Sequence, residues 1–145
     1  MLHRLLNLNG LKGKNIISDN NCQFHAILDQ CLQNGIVGWN HAKLRVTAVE
    51  WLYKNKDTQY QDAPLNVLFD LSNPRLKQLV QHSREWGDSS TLFALANILE
   101  ATIKVYSSAN NIYEIHPIDG NSNYIFHIGY YNNLHYISTI PIPVV

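Results

Sequence analysis

The segment Asp19-Asn20-Asn21-Cys22-Gln23-Phe24-His25-Ala26 sets a thiol where a turn gives way to a helix. The first amides of a helix have no acceptor within it, and with the macrodipole they favour a thiolate at that end. The same amides can donate to an oxyanion forming beside the sulfur, which is what acyl transfer requires. A thiolate of this kind works with an imidazole, and the chain has 7 histidines. His135 is the best placed, because it follows Asn132-Asn133 at the start of the last strand-like segment, a rim position from which a side chain reaches a neighbouring cleft. His25 follows Cys22 too closely within the helix to face its sulfur, and His3, His41, His82, His116 and His127 have no recognisable setting. No two histidines fall at i and i+4 on an expected helix with a carboxylate between them, so no metal site is expected. A lone cysteine beside a helix is commonly an inert buried residue, and a lone histidine near a turn is seldom functional. Only their combination points to chemistry.

Positioning these groups requires a helix after Cys22 and a hairpin before His135. Phe24, Ile27, Leu28 and Cys31 follow the i, i+3, i+4, i+7 rule, so the spacing predicts a helix from Cys22 to a stop at Asn34-Gly35. At about 100° per residue that stripe lies opposite Cys22 and need not bury it, and Cys31 reads as a core residue too far along the helix to pair with Cys22. Asn40 is set to cap a second helix through Leu44, Ala48, Trp51 and Leu52. Asp62 and Pro64 fit the opening of a short third with Leu65, Leu68 and Phe69. Asn73-Pro74 opens a fourth with Leu76, Leu79 and Val80, and Asp88 or Ser89 a fifth through Leu92, Leu95, Ala96 and Leu99. From Ala101 the period changes to two. Ile103 and Val105 alternate with Lys104 and Tyr106, and Asn110-Asn111 turns the chain into Ile112 to Ile115. Tyr124 to Tyr131 and Leu134 to Ile140 form a second hairpin about Asn132-Asn133, while Pro141 and Pro143 end the last strand or hold it at an edge. Lys12-Gly13-Lys14 reads as a solvated turn, Trp86-Gly87-Asp88 as a helix stop with a core indole and a new cap, and Tyr130-Tyr131 as hairpin packing. Helices followed by a small, largely antiparallel sheet make an α+β fold.

With 145 residues, 46% of them apolar, the chain suits one domain over residues 1–145. Lysine plus arginine (11) balances aspartate plus glutamate (11), which leaves no global field to attract a phosphate backbone or an anionic membrane. Nucleic acid and membranes are therefore not expected partners. No apolar run approaches the roughly 20 residues that cross a bilayer, and the polar interruptions in MLHRLLNLNGLKGK make a poor secretory signal. Two cysteines are too few for a disulfide scaffold, so reduced thiols are expected.

In combination these residues resemble the ovarian-tumour (OTU) family of cysteine deubiquitinases. The family's Asp-Gly-Asn-Cys-Leu-Phe-Arg-Ala motif stands here as Asp19-Asn20-Asn21-Cys22-Gln23-Phe24-His25-Ala26. Its middle motif, Trp-Gly-Gly/Asp followed by a Leu-x-Ala-Leu-Ala helix and a strand, is similar to Trp86-Gly87-Asp88, Leu92-Phe93-Ala94-Leu95-Ala96 and Ile103-Lys104-Val105-Tyr106. Its Asn-rich turn with His-Tyr on the final strand is similar to Asn132-Asn133-Leu134-His135-Tyr136, and Arg45 fits the arginine that opens its second helix.

The resemblance implies a papain-like fold, with a small largely antiparallel sheet packed between helices, that hydrolyses the isopeptide bond after the C-terminal glycine of ubiquitin. Cys22 would be the nucleophile and His135 the general base and later acid. Asp19 would shape the preceding loop and, with the amides of that loop and of Cys22, hold the oxyanion. Trp86 would be structural. It implies no metal or organic cofactor, and ubiquitin or polyubiquitin chains as partners. A monomer is expected, and the short, Asn-rich composition suggests action in the cytosol, that of a host if the source is a pathogen. The resemblance assigns no residue to substrate binding.

Two positions depart from the pattern. Asn20 replaces a glycine but can still adopt a left-handed conformation. Ile137 stands where many members carry Asp or Asn to orient the histidine, leaving that task to Asn133, to an upstream residue or to a backbone carbonyl. Two rival readings share the motifs. One is a ubiquitin-binding module of the same fold without turnover, which Ile137 supports; the other is a papain-like peptidase for a non-ubiquitin substrate, as in a viral polyprotein or a bacterial effector.

Overall fold

A computed structural model of the chain describes residues 2–16, 19, 21–72, 89–131 and 135–143. In chain order the elements are α1 (Leu2–Leu8), β1 (Leu11–Lys14), α2 (Cys22–Gln33), α3 (His41–Asn55), β2 (Gln59–Tyr60), β3 (Ala63–Pro64), α4 (Leu65–Leu68), α5 (Ser89–Leu99), β4 (Ala101–Ser107), β5 (Asn111–Ile115), β6 (Tyr124–Tyr131) and β7 (His135–Pro141). The expected fourth helix and Trp86-Gly87-Asp88 lie outside the described residues.

Local chemistry explains the boundaries of the helices that hold the site. The end of α2 is a Schellman closure: Ile36 N donates to Cys31 O at 2.9 Å, Gly35 N to Leu32 O at 3.2 Å, and Gly35 takes φ +76°. The start of α3 is capped as expected, with Asn40 Oδ1 accepting from Lys43 N at 2.8 Å. The third helix shrinks to the single turn α4. Pro64 rather than Asp62 sits at its N-cap, because residues 59–64 are drawn into the two-stranded β2–β3 ladder.

The five-stranded sheet runs β1-β7-β6-β4-β5. The β4–β5, β6–β7 and β1–β7 pairs are antiparallel and β4–β6 is parallel. The first hairpin turns through residues 108–110, with Ser107 opposite Asn111 and Asn110 at φ 65°, so the loop is one residue longer than the Asn110-Asn111 reading. Lys12-Gly13-Lys14 is not a turn. It is part of edge strand β1, where Lys12 faces Ile140 and Lys14 faces Ser138 of β7. An edge position lets both lysines reach solvent while the backbone bonds to its one neighbour.

Both faces of the sheet are covered, and alternation along the strands assigns side chains to two cores. On one face Ile103, Val105, Phe126, Ile128 and Tyr136 pack with Phe24 and Ile27 of α2, Leu44 and Leu52 of α3, and Leu92 and Leu95 of α5. On the other, Tyr106 and Ile137 pack with Leu2 and Leu6 of α1 and with Leu11. The sheet between helices is as expected, but the second cover is α1, which the sequence reading did not include.

Polar groups bridge α2 to the sheet. Asp29 accepts from Lys14 Nζ, Gln33 Nε2 and Ser138 Oγ, each at 2.6 Å, and so joins α2 to β1 and β7. Burial works to raise the Asp29 carboxyl, but these hydrogen bonds and the charge of Lys14 outweigh it and hold the group below its ordinary value. A carboxyl depressed in the folded state contributes stability above its unfolded pKa and loses it as pH falls through the folded value. Asp29→Asn should therefore cost about 1–3 kcal/mol at neutral pH. Denaturant unfolding of the two proteins should show the difference narrowing in acid, as the native carboxyl takes up its proton.

Candidate functional site

Cys22 is the first residue of α2, with Asn21 at the N-cap, as the motif requires. The loop before it is organised by Asp19, whose Oδ1 accepts from Asn21 N at 2.8 Å and whose carbonyl accepts from Cys22 N at 3.1 Å. Asn21 does not cap α2 with its side chain. Its Oδ1 accepts from Arg45 Nε at 3.0 Å, and the Arg45 guanidinium lies over the Phe24 ring at 4.6 Å. Arg45, recognised in the sequence without a role, thus ties the loop ahead of Cys22 to α3. Gln23, where the family motif has leucine, is buried and accepts from Thr91 Oγ1 of α5 at 2.6 Å, so a polar side chain is tolerated because it is paired. His25 is engaged elsewhere: its Nε2 lies 3.6 Å from Asp19 Oδ2 and its ring 4.4 Å from that of His41.

The sulfur itself meets the last strand. Tyr136 N donates to Cys22 Sγ at 3.3 Å, across 114 positions of sequence. Tyr136 directly follows His135, the first residue of β7, which pairs with Tyr131 of β6. The fold thus brings Cys22, Asp19 and the strand bearing His135 to one place. The sequence could not show that the contact runs through a backbone amide, since any residue but proline at position 136 supplies one.

The expectation that the apolar stripe leaves Cys22 uncovered is overturned, for Cys22 has 0% relative exposure and belongs to the main core. A helical wheel assumes one covered face, whereas α2 packs against β6 and β7 on one side and α3 on another. Burial accordingly pushes the Cys22 thiol up, helped by the charge of Asp19, against the backbone amides of Tyr136 and Gln23 and its own amide, which pull it down. Cys31 shows the same burial without any such amides, and its thiol is pushed up to about 11. Both thiols are free.

Among the described residues, the buried His135 Nδ1 has no hydrogen-bond partner. Two residues along, Ile137 is 5% exposed and serves the α1 core. The space it fills is fitted to it: a Cβ at Gly129 would stand 2.8 Å from Ile137 Cγ1, and one at Gly13 3.0 Å from its Cδ1. The position that elsewhere orients the histidine is used here to pack α1 under the sheet. Asn20, Asn132 and Asn133 lie outside the described residues. Among the described residues, no group of three or more His, Cys, Asp or Glu could hold a metal ion, and no helix is long and apolar enough to cross a membrane.

Residues 17–137 match the family described as OTU-like cysteine protease. The chain is 29% identical over 142 residues to an Arabidopsis thaliana protein named ovarian tumor domain-containing deubiquitinating enzyme 9, covering 97% of this chain and 39% of that protein. It spans about two-fifths of the length of the curated relatives it matches. In fold it is similar to the OTU domain of OTUD1, with TM-score 0.74 and 16% identity over 95% of this chain and 91% of that one. It is also similar to an OTU domain solved in complex with ubiquitin, with TM-score 0.70 and 21% identity over 89% of this chain and 69% of that one. Since the family match runs from the loop before Cys22 to the strand that begins with His135 and takes in most of the sequence, the chain belongs to the OTU-like cysteine protease family.

Proposed function

We propose that the chain is a deubiquitinase in which Cys22 attacks the carbonyl of the C-terminal glycine of ubiquitin and His135 moves the protons. The observation that carries this reading is the 3.3 Å bond from Tyr136 N to Cys22 Sγ, which sets the thiol against the strand whose first residue is His135. His135 takes the proton from Cys22 Sγ as the sulfur bonds to the glycine carbon. The oxyanion so formed lies at the positive end of α2, where the Cys22 amide must turn to it from Asp19 O, and His135 returns the proton to the lysine amine as the carbon–nitrogen bond breaks. Water, deprotonated by the same imidazole, then bonds to the thioester carbon as the carbon–sulfur bond breaks, which frees the ubiquitin carboxylate and returns the proton from His135 to Cys22 Sγ. Asp19 acts on the shape of the loop; its own charge raises the Cys22 thiol and opposes an adjacent anion. The ubiquitin-bound OTU domain among the structural neighbours supports ubiquitin as the partner.

A second reading, a ubiquitin-binding module without turnover, is favoured by the covered sulfur and by a His135 Nδ1 that finds no partner among the described residues. Ubiquitin bearing a C-terminal electrophile separates the two. The enzyme forms a covalent adduct that is lost in Cys22→Ala, while the silent module binds without one. Replacing His135 with Ala should slow diubiquitin cleavage by about 10²- to 10⁴-fold with ubiquitin affinity nearly unchanged. Parallel loss of affinity would make His135 a folding residue.

Ile137→Asn supplies an acceptor on the His135 side of β7. It should raise kcat while lowering stability by about 2–4 kcal/mol through the lost α1 packing. Turnover of a fluorogenic ubiquitin amide, measured beside a thermal melt, tests both. An unchanged kcat in the folded variant would show that ring orientation does not limit the rate.

A further inference from the structure

The helix carrying Cys22 and the strand carrying His135 are fastened together at their far ends by polar groups buried in the interior. Gln30 is buried, yet both protons of its amide go to β7: Nε2 donates to Ser138 Oγ at 2.9 Å and to Thr139 O at 3.0 Å. Its Oε1 accepts from His127 N at 3.0 Å, so the same side chain also holds β6. Ser138 Oγ in turn donates to Asp29 Oδ2 at 2.6 Å. Thr139 O accepts a second bond from Gln33 Nε2 at 2.9 Å.

These bonds have a consequence for the other end of the two elements. Along α2, the eight positions from Cys22 to Gln30 rise about 12 Å. Along β7, the three positions from Tyr136 to Thr139 advance about 10 Å. Helix and strand therefore lie side by side in the same direction, attached once where the sulfur meets the Tyr136 amide and again at Gln30. Apolar contact is non-directional, and a packed core fixes alignment only through the shapes of its side chains. An amide bonded to a hydroxyl and a carbonyl adds a directional constraint. An apolar side chain at position 30 would remove that constraint, and misplacement of reacting groups by about 1 Å costs on the order of 10²-fold in rate.

Building on the thiol–imidazole reading above, we infer that Gln30 is a positioning residue: its bonds to Ser138 and Thr139 set the register of α2 against β7 and so the approach of Cys22 to His135. The clamp stands apart from the reacting atoms and acts only through α2 and the strands it joins.

The test is alkylation of Cys22 by iodoacetamide, followed by mass of the Cys22 peptide from neutral to alkaline pH, a measurement that needs no ubiquitin. The part of the rate that disappears in His135→Ala reports the thiol–imidazole pair. Gln30→Met and Ser138→Ala, studied where circular dichroism shows them folded, should each lose that part by about tenfold. Neither should slow the reaction further once His135 is alanine. Equal slowing with and without His135 would make Gln30 a packing residue and overturn the inference, as would an unchanged His135-dependent rate in folded Gln30→Met. Should Gln30→Met not fold, Ser138→Ala carries the same comparison. A wild-type rate with no His135-dependent part would overturn both the clamp and the pairing it serves. The expected pattern in a chain that leaves ubiquitin conjugates uncut would uphold the clamp and refute only the substrate.

Discussion

The bond between the Tyr136 amide and the Cys22 sulfur is where the two halves of the molecule meet. One partner is the first residue of a helix near the beginning of the chain; the other is the second residue of the last strand. Neither half holds both Cys22 and His135, so the proposed pair can form only once the sheet closes, with β7 between β1 and β6. The contact is made by backbone, which leaves the Tyr136 side chain to pack in the main core and rest its ring 4.5 Å from that of Tyr130. Packing and chemistry thereby share one residue without competing for one side chain.

The two cysteines show what the surroundings do to identical groups. Both are fully buried, and burial raises both thiols because a thiolate loses hydration. Around Cys31 nothing opposes that cost. Around Cys22 three backbone amides oppose it, and the nearby carboxylate of Asp19 adds to it. Asp19 contributes geometry instead, holding the Asn21 and Cys22 amides through its side chain and its carbonyl. The loop thus depends on a residue whose charge works against the anion beside it.

Much of this arrangement is legible in the residues because it is local. The α2 boundaries follow from a turn-forming run ahead of Cys22 and from Asn34-Gly35 behind it, the α3 start from Asn40, and both hairpins from period-two alternation broken by asparagines. What escaped was set by distant partners. Lys12-Gly13-Lys14 has the composition of a turn and becomes a strand only because β7 offers it an edge; a Cβ at Gly13 would make a tight 3.0 Å contact with Ile137 Cδ1. The burial of Cys22 escaped because periodicity describes one face of a helix, and α2 is covered on more than one. Gln30 and Ser138 lie 108 positions apart, and nothing in either neighbourhood announces the other. A glutamine close to the apolar stripe of α2 was the one available sign of a buried polar contact.

The strand and helix that precede the family match bear on how the protein can be cut. The resemblance spans residues 17–137, yet β1 bonds to β7 from Leu11 to Lys14, and α1 seals the face of the sheet that holds Ile137. Ser138 and Thr139, which anchor α2, fall beyond its other limit. A truncated version trimmed to those limits would keep the cysteine and histidine but lose α1, β1, the β7 residues that pair with β1, and the Ser138 and Thr139 partners of Gln30. Its failure to turn over substrate would then report a broken scaffold and say nothing about the chemistry.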